Sequence, residues 1–259
     1  MLSTKDLRTC MIKIFCLYFE GKYTPDYVEK LYNSVKRNCK VAVHFVCYSD
    51  THVKCDELIL LPLNTSIKQH WFKMQFFDKK FTGDGDIIVM DIDQVIISDI
   101  TDMISYPVNN NELVSYCKWW GGDDLKINGG WYKFKAGSLQ AVWEKFIADP
   151  EKWQLHYFIN GTVHYRYFGE QNFVYDTCIE NAINITTMPG EWVAKYTDDF
   201  DNNNKLNRQY IQAFDEMYMY LGDEFNPKIK IVHFANPSNT IHKHVENDDI
   251  RNNLRKNWY

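Results

Sequence analysis

The chain has 259 residues, 45% hydrophobic and 24% charged, a balance that excludes a disordered or fibrous protein and leaves room for one large α/β domain or two small ones. Its formal net charge of −5 gives no general attraction to nucleic acid or to an anionic membrane, since each calls for clustered Lys and Arg. Eight Trp, 17 Tyr and 16 Phe exceed what a core alone needs, and such rings can stack on sugars or bases while keeping a polar tip in water. The seven Cys are scattered without a CxxC pair, which predicts reduced thiols rather than a zinc site or a disulfide framework. The polar opening MLSTKDLRTC and the lack of any run near the roughly 18 apolar residues of a membrane span predict a cytoplasmic protein. The sequons at Asn64, Asn160 and Asn184 are then incidental.

The strand-forming apolar run at 11–19 predicts a buried first strand. Thr24-Pro25-Asp26 offers a cap with Pro at the first helical position, and Tyr27, Leu31, Tyr32 and Val35 recur at helical spacing, so a helix is predicted to about Cys39. Residues 41–48 read as a second strand ending in Ser49-Asp50; strand, helix, strand is the unit of a parallel sheet with a right-handed crossover. A short strand at 57–62, a crossover helix from Ile67 to Lys80 and a turn at 82–85 come next. They lead to DIIVMDIDQVIISDI: a strand of buried character, two carboxylates one residue apart, and a second apolar run. Strands at Leu113 to Tyr116 and Trp131 to Phe134 flank a Gly/Asp loop at 121–124, and helices are predicted from Leu139 to Ile147 and from Glu170 to Cys178. KIKIVHFANP reads as a last strand running into a loop, and the last dozen polar residues as a surface tail. No repeat, linker or composition break divides the chain, so one domain is predicted.

In an extended backbone, residues i and i+2 point to the same side, so Asp91 and Asp93 can address one cation while Ile92 faces the protein. Hard oxygen donors suit Mg²⁺ or Mn²⁺, which take one or two carboxylates and complete their shell with water and substrate phosphates. The pair lies at the carboxyl end of an apolar strand, where open α/β sheets bind ligands. A solvated turn is the plainer alternative.

The segment IVMDIDQVI resembles the DxD motif of GT-A glycosyltransferases, especially the retaining group that includes glycogenin and bacterial lipopolysaccharide galactosyltransferases. In chain order, WFKM at 71–74 resembles that group's YYRL, INGGWYKF its FNAGV-type segment, GEQ at 169–171 a DQ element, and VHFANPSNTIHK the closing HFxGxxKPW. The resemblance covers residues 11 to about 244. It implies an α/β, Rossmann-like GT-A domain with a mixed central sheet flanked by helices. Residues 11–100 would be its nucleotide-binding half, 101–245 its acceptor and sugar half, and 246–259 a tail. The implied activity is transfer of a hexose from a UDP-linked sugar to a glycan, lipid or protein hydroxyl.

Carried over residue by residue, the resemblance makes Asp91, Asp93 and His233 ligands of Mn²⁺ or Mg²⁺, with Asp91 also near the ribose. Lys73 would approach the donor, standing where the group often has Arg. Tyr18 and Asp50 fall where the group places its nucleobase pocket, and Asn128 with the glycines after it would let backbone approach the sugar. Lys243 stands near the group's diphosphate-binding Lys, but the Gly and Trp around it are missing, so His242 or His244 could serve instead. Glu170 and Gln171 would face the anomeric carbon, with Asp123 and Asp124 on the acceptor side. The group has Asp where Glu170 stands, which leaves retention or inversion open. The plainer readings are a core Tyr18, a core His233, a solvated Lys73 and an ordinary glycine turn after Asn128.

Two rival readings fit the same residues. DIDQVI also fits the DxDx(T/V) motif of haloacid-dehalogenase-like phosphatases, in which the first Asp is a nucleophile beside Mg²⁺. That motif belongs on a first core strand, whereas a strand, helix, strand unit precedes it here. The second rival is a non-catalytic carbohydrate-binding protein that uses its aromatics as sugar platforms.

Overall fold

The structure is a computed structural model and describes residues 12–21, 23–120, 127–164, 169–200, 206–212, 214, 227–234 and 256–258. In chain order its elements are β1 (Ile12–Tyr18), α1 (Asp26–Asn38), β2 (Val43–Ser49), β3 (Glu57–Leu60), a 3₁₀ helix (Gln69–Phe77), α2 (Lys79–Thr82), β4 (Asp86–Met90) and β5 (Gln94–Ile96). Then come α3 (Thr101–Ile104), β6 (Glu112–Ser115), β7 (Trp131–Lys135), α4 (Gln140–Ala148), α5 (Pro150–His164), α6 (Glu170–Glu180), β8 (Asn184–Thr187), β9 (Val193–Phe200), β10 (Leu206–Gln212) and β11 (Ile231–Phe234).

Among the described residues the strands form two sheets. The larger runs β3-β2-β1-β4-β7-β6-β8 and the smaller β10-β9-β11-β5. Strands β1 to β4 are parallel neighbours, as strand-helix-strand units require, and β7 is antiparallel to both β4 and β6. This is the mixed sheet expected from the sequence. Strand β1 is buried on both faces, so alternate residues enter different layers. Ile14, Cys16 and Tyr18 pack with α1 residues Tyr27, Leu31 and Val35. Phe15 and Leu17 pack with Trp71, Phe72 and Phe76 of the 3₁₀ helix and with α4 and α6.

The helix expected from Ile67 to Lys80 takes another form: a nine-residue 3₁₀ helix followed by the single turn of α2. Trp71, Phe72, Lys73, Met74, Phe76 and Phe77 are all buried, so most of this segment faces protein, and tertiary packing rather than an apolar stripe sets its winding. Helix α5 and the small second sheet are not among the elements expected from sequence. The expected tail over 246–259 needs correction at its end, where residues 256–258 form a helical turn and Trp258 is only 2% exposed. No helix among the described residues is long and apolar enough to cross a membrane.

A buried lysine ties the first sheet to α3. Lys133 Nζ donates to the carbonyls of Ile104 and Tyr106, each at 2.7 Å, and lies 3.4 Å from Asp86. These carbonyls belong to the end of a helix, where intrahelical donors run out. Lys133→Met will leave them buried without that donor, and urea unfolding is expected to show a loss of about 2–4 kcal/mol.

Candidate active site

The two carboxylates sit where the chain leaves the larger sheet for the smaller. Met90 pairs with Trp131 at the end of β4, and the Asp91 amide extends that ladder by one bond, to Gly130 O at 3.0 Å. Ile92 is buried in the core as its apolar character demands. The Asp93 carbonyl then accepts from Phe234 N at 3.2 Å, and Gln94 opens β5. The pair is thus fastened by backbone to a different sheet at each end, which gives the turn firm support.

Each carboxylate has a distinct neighbourhood. Asp93 Oδ2 accepts from the Tyr23 hydroxyl at 2.6 Å, and burial, with Asp93 next, holds that phenol well above its usual range. Asp91 forms an ion pair with Lys73. Burial pushes the Asp91 carboxyl up to about 6; Lys73 opposes this and the charge of Asp93 adds to it. Burial alone would lower the Lys73 ammonium, yet Asp91 and Glu170 raise it above the ordinary lysine value.

Lys73 joins Asp91 to Glu170. Its Nζ lies 3.1 Å from Glu170 Oε1 and 3.4 Å from Gly129 O. In a 3₁₀ helix, side chains at i and i+3 eclipse, so His70 comes out beside Lys73, its Nε2 3.6 Å from Glu170 Oε2. Burial lowers the His70 imidazole despite that carboxylate. Glu170 lies in the first turn of α6, where the helix dipole favours a negative charge. Gln171 beside it accepts from Gly129 N at 3.1 Å and so holds the loop.

The 128–130 loop is the meeting point. Asn128 Oδ1 accepts from Gly130 N at 2.8 Å, and Ser115 Oγ bonds both the amide and the carbonyl of Asn128. A Cβ on Gly130 would stand 2.8 Å from Asn128 Oδ1 and 3.1 Å from both Gln94 Nε2 and His233 Cε1. Glycine is therefore required for these side chains to converge. His233 is buried, pairs across the smaller sheet with Gln94, and lies 5.8 Å from the Trp120 ring. Gln94 donates to Gly130 O and accepts from the Tyr116 hydroxyl, each at 2.5 Å.

Of the residues expected from sequence, the structure brings together Asp91, Asp93, Lys73, Asn128, Glu170, Gln171 and His233. Tyr18 has its ring inside the core, which corrects the stacking role expected of it. Its hydroxyl donates to Tyr23 O at 3.2 Å, while Asp50 accepts from Glu20 N at 2.8 Å, so both brace the loop that carries Tyr23. Asp123, Asp124, His242, Lys243 and His244 lie outside the described residues. Tyr23, His70, Gln94 and Tyr116 join the site without being expected from sequence. A glutamine directly after the carboxylate pair in an apolar strand was the available signal for Gln94.

Among the described residues, no three His, Cys, Asp or Glu side chains form a ready-made metal cage. The donor set instead suits a hard cation that draws part of its shell from a ligand. Two carboxylates lie one residue apart, with an imidazole on the strand bonded to Asp93.

Comparison with protein-family models and with curated proteins finds no match. Solved structures do match. The galactosyltransferase LgtC, in complex with donor and acceptor sugar analogues, is 10% identical with a TM-score of 0.55, over 94% of each chain. The fold is GT-A. A bifunctional glycosyltransferase, WbbM, matches with 12% identity and a TM-score of 0.56 over 97% of this chain and 50% of its own. GlyE of Streptococcus pneumoniae TIGR4 matches with 12% identity and a TM-score of 0.50 over 71% of this chain. The chain spans 46% of the length of GlyE. In this GT-A fold the carboxylate pair stands at the carboxyl end of β4, beside β1, where open α/β sheets form their ligand crevice.

Proposed function

We propose that this chain is a metal-dependent glycosyltransferase that moves a hexose from a UDP-linked donor to an acceptor hydroxyl. The observation that carries the reading is the convergence of Asp91, Asp93, Lys73 and Glu170 on the 128–130 glycine loop, at the ligand-binding edge of a GT-A fold. Residues 11–100 form the nucleotide half in this reading, and 101–245 the sugar and acceptor half. The haloacid-dehalogenase reading loses its support with the fold. Its motif would sit on a first core strand, whereas Asp91 follows β4, after the β1-α1-β2 unit.

Asp91 and Asp93 would hold Mn²⁺ or Mg²⁺, with His233 as the third protein ligand. Such an ion supplies Lewis-acid stabilisation of the leaving diphosphate. The protein's own groups do the remaining work. Gly129 and Gly130 leave room for Glu170, Gln171, Asn128 and His233 to close in on the loop beside the site, and Gln171 keeps that loop in place. Lys73, buried between two carboxylates, fixes their separation and offers a cation near the donor. Glu170, held by Lys73 with the His70 ring beside it, would be the carboxylate that faces the reacting carbon. Asn128 has its side-chain oxygen engaged by Gly130 N, leaving its amide group for a sugar hydroxyl.

Calorimetric titration of UDP into the protein tests the reading. Binding is expected with Mn²⁺ and not with EDTA; equal binding in both would remove the metal from the site. The pH dependence follows from Asp91. A cation needs the carboxylate deprotonated, so affinity is present above about pH 6 and is lost as pH falls through that value. Mn²⁺ affinity is expected to drop roughly tenfold for each pH unit below it.

A further inference from the structure

Three aromatic rings run from the last described turn to the carboxylate pair. Trp258 meets Tyr27 edge-on with centroids 4.9 Å apart. Tyr27, on the buried face of α1, packs against Tyr23 at 4.9 Å, and the Tyr23 hydroxyl donates to Asp93. Two α1 cations hold the turn in place. Lys30 Nζ lies 4.9 Å from the Trp258 ring centroid, and Arg37 Nη2 donates to Asn257 O at 2.7 Å.

The loop carrying Tyr23 is fixed at its backbone by Tyr18, but the direction of its phenol depends on the ring behind it. Ring packing is short-ranged: a gap of about 0.5–1 Å already forfeits a quarter to a half of the contact energy. Removing the indole leaves space beneath Tyr27, and a ring that relaxes into it carries Tyr23 along. The hydrogen bond to Asp93 then loses its length and direction. A group bonded to a metal-binding carboxylate tunes the affinity of that site.

We propose that Trp258 is a positioning residue for the carboxylate pair. Docked on α1, it fixes Tyr27, and through Tyr27 it aims the Tyr23 hydroxyl that orients Asp93. The inference rests on reading Asp93 as a cation ligand.

The test uses the full chain with Trp258→Leu, which fills part of the volume without the ring contact, and Trp258→Phe, which keeps an aromatic edge. Mn²⁺ affinity is read by electron paramagnetic resonance, hydrogen exchange over residues 20–27 by mass spectrometry, and stability by calorimetry. Trp258→Leu is expected to weaken Mn²⁺ binding roughly tenfold and to speed exchange over 20–27, with Trp258→Phe restoring most of both. In a Tyr23→Phe background the leucine variant is expected to add nothing further, because both act through one hydrogen bond. A leucine variant with a lower Tm but unchanged Mn²⁺ affinity and unchanged exchange overturns the proposal, as does full additivity with Tyr23→Phe. If the wild-type chain binds no Mn²⁺, the metal reading fails by itself. Exchange over 20–27 then still decides whether Trp258 controls the Tyr23 loop.

Discussion

Lys73→Met is expected to destabilise the protein by about 3–5 kcal/mol at pH 8 and to abolish donor turnover, because it removes the cation shared by Asp91 and Glu170. Glu170 has only 5% of its side chain exposed, so solvent cannot take over the role of the ammonium. The pH dependence gives the loss a signature. The Asp91 carboxyl, already pushed up to about 6, moves higher still once Lys73 no longer opposes burial. A carboxyl with a raised folded-state pKa penalises the fold when ionised and is relieved as pH falls through that value. The deficit of Lys73→Met is therefore expected to shrink by at least about 1 kcal/mol between pH 8 and pH 5.5. Urea unfolding at the two pH values checks this. A deficit that does not change with pH would show that Lys73 acts through packing.

Asp93→Asn separates stability from activity. The amide keeps the shape of the side chain and can still accept from Tyr23, but the second negative charge of the pair is gone. Metal-ion catalysis is worth several kcal/mol of transition-state stabilisation, so metal-dependent donor turnover is expected to fall by about 10²–10⁴-fold. Stability should move the other way. The charge of Asp93 is one of the causes that raise Asp91, after burial, so its removal is expected to stabilise the fold by about 0.5–1 kcal/mol near neutral pH. Steady-state kinetics and thermal unfolding of the same sample test both halves. Loss of activity together with a lower Tm would reduce Asp93 to a structural residue.

How much of this could be read in the sequence depended on how local each feature is. The run at 86–90 followed by Asp91, Ile92 and Asp93 was legible because strand alternation fixes which residue turns inward, and Ile92 is in the core. The β1-α1-β2 unit was legible for the same reason. The 3₁₀ winding of Gln69–Phe77 was not, because it follows from burial of most of its residues, and that depends on β1, α4 and α6. The smaller sheet was hidden because β9 and β10, VAKYTDDF and LNRQYIQ, are largely polar, and β11 finds its partner β5 far along the chain. Helix α5 escaped because Leu155, Phe158 and Ile159 are exposed, which blurs any apolar stripe. At the site, Asp91, Asp93, Glu170 and Lys73 could be named through a family resemblance. Tyr23 and His70 could not, since only the tertiary structure brings a phenol from the β1–α1 loop and an imidazole from the 3₁₀ helix to those carboxylates.

The most direct measurement of the central claim is release of nucleoside diphosphate from UDP-glucose and UDP-galactose by the purified chain, with Mn²⁺ or with EDTA, beside Asp93→Asn. The account predicts release that requires Mn²⁺ and falls by at least about a hundredfold in the variant. Absence of binding or turnover of any nucleotide sugar, together with Mg²⁺-dependent cleavage of phosphate esters, would contradict it.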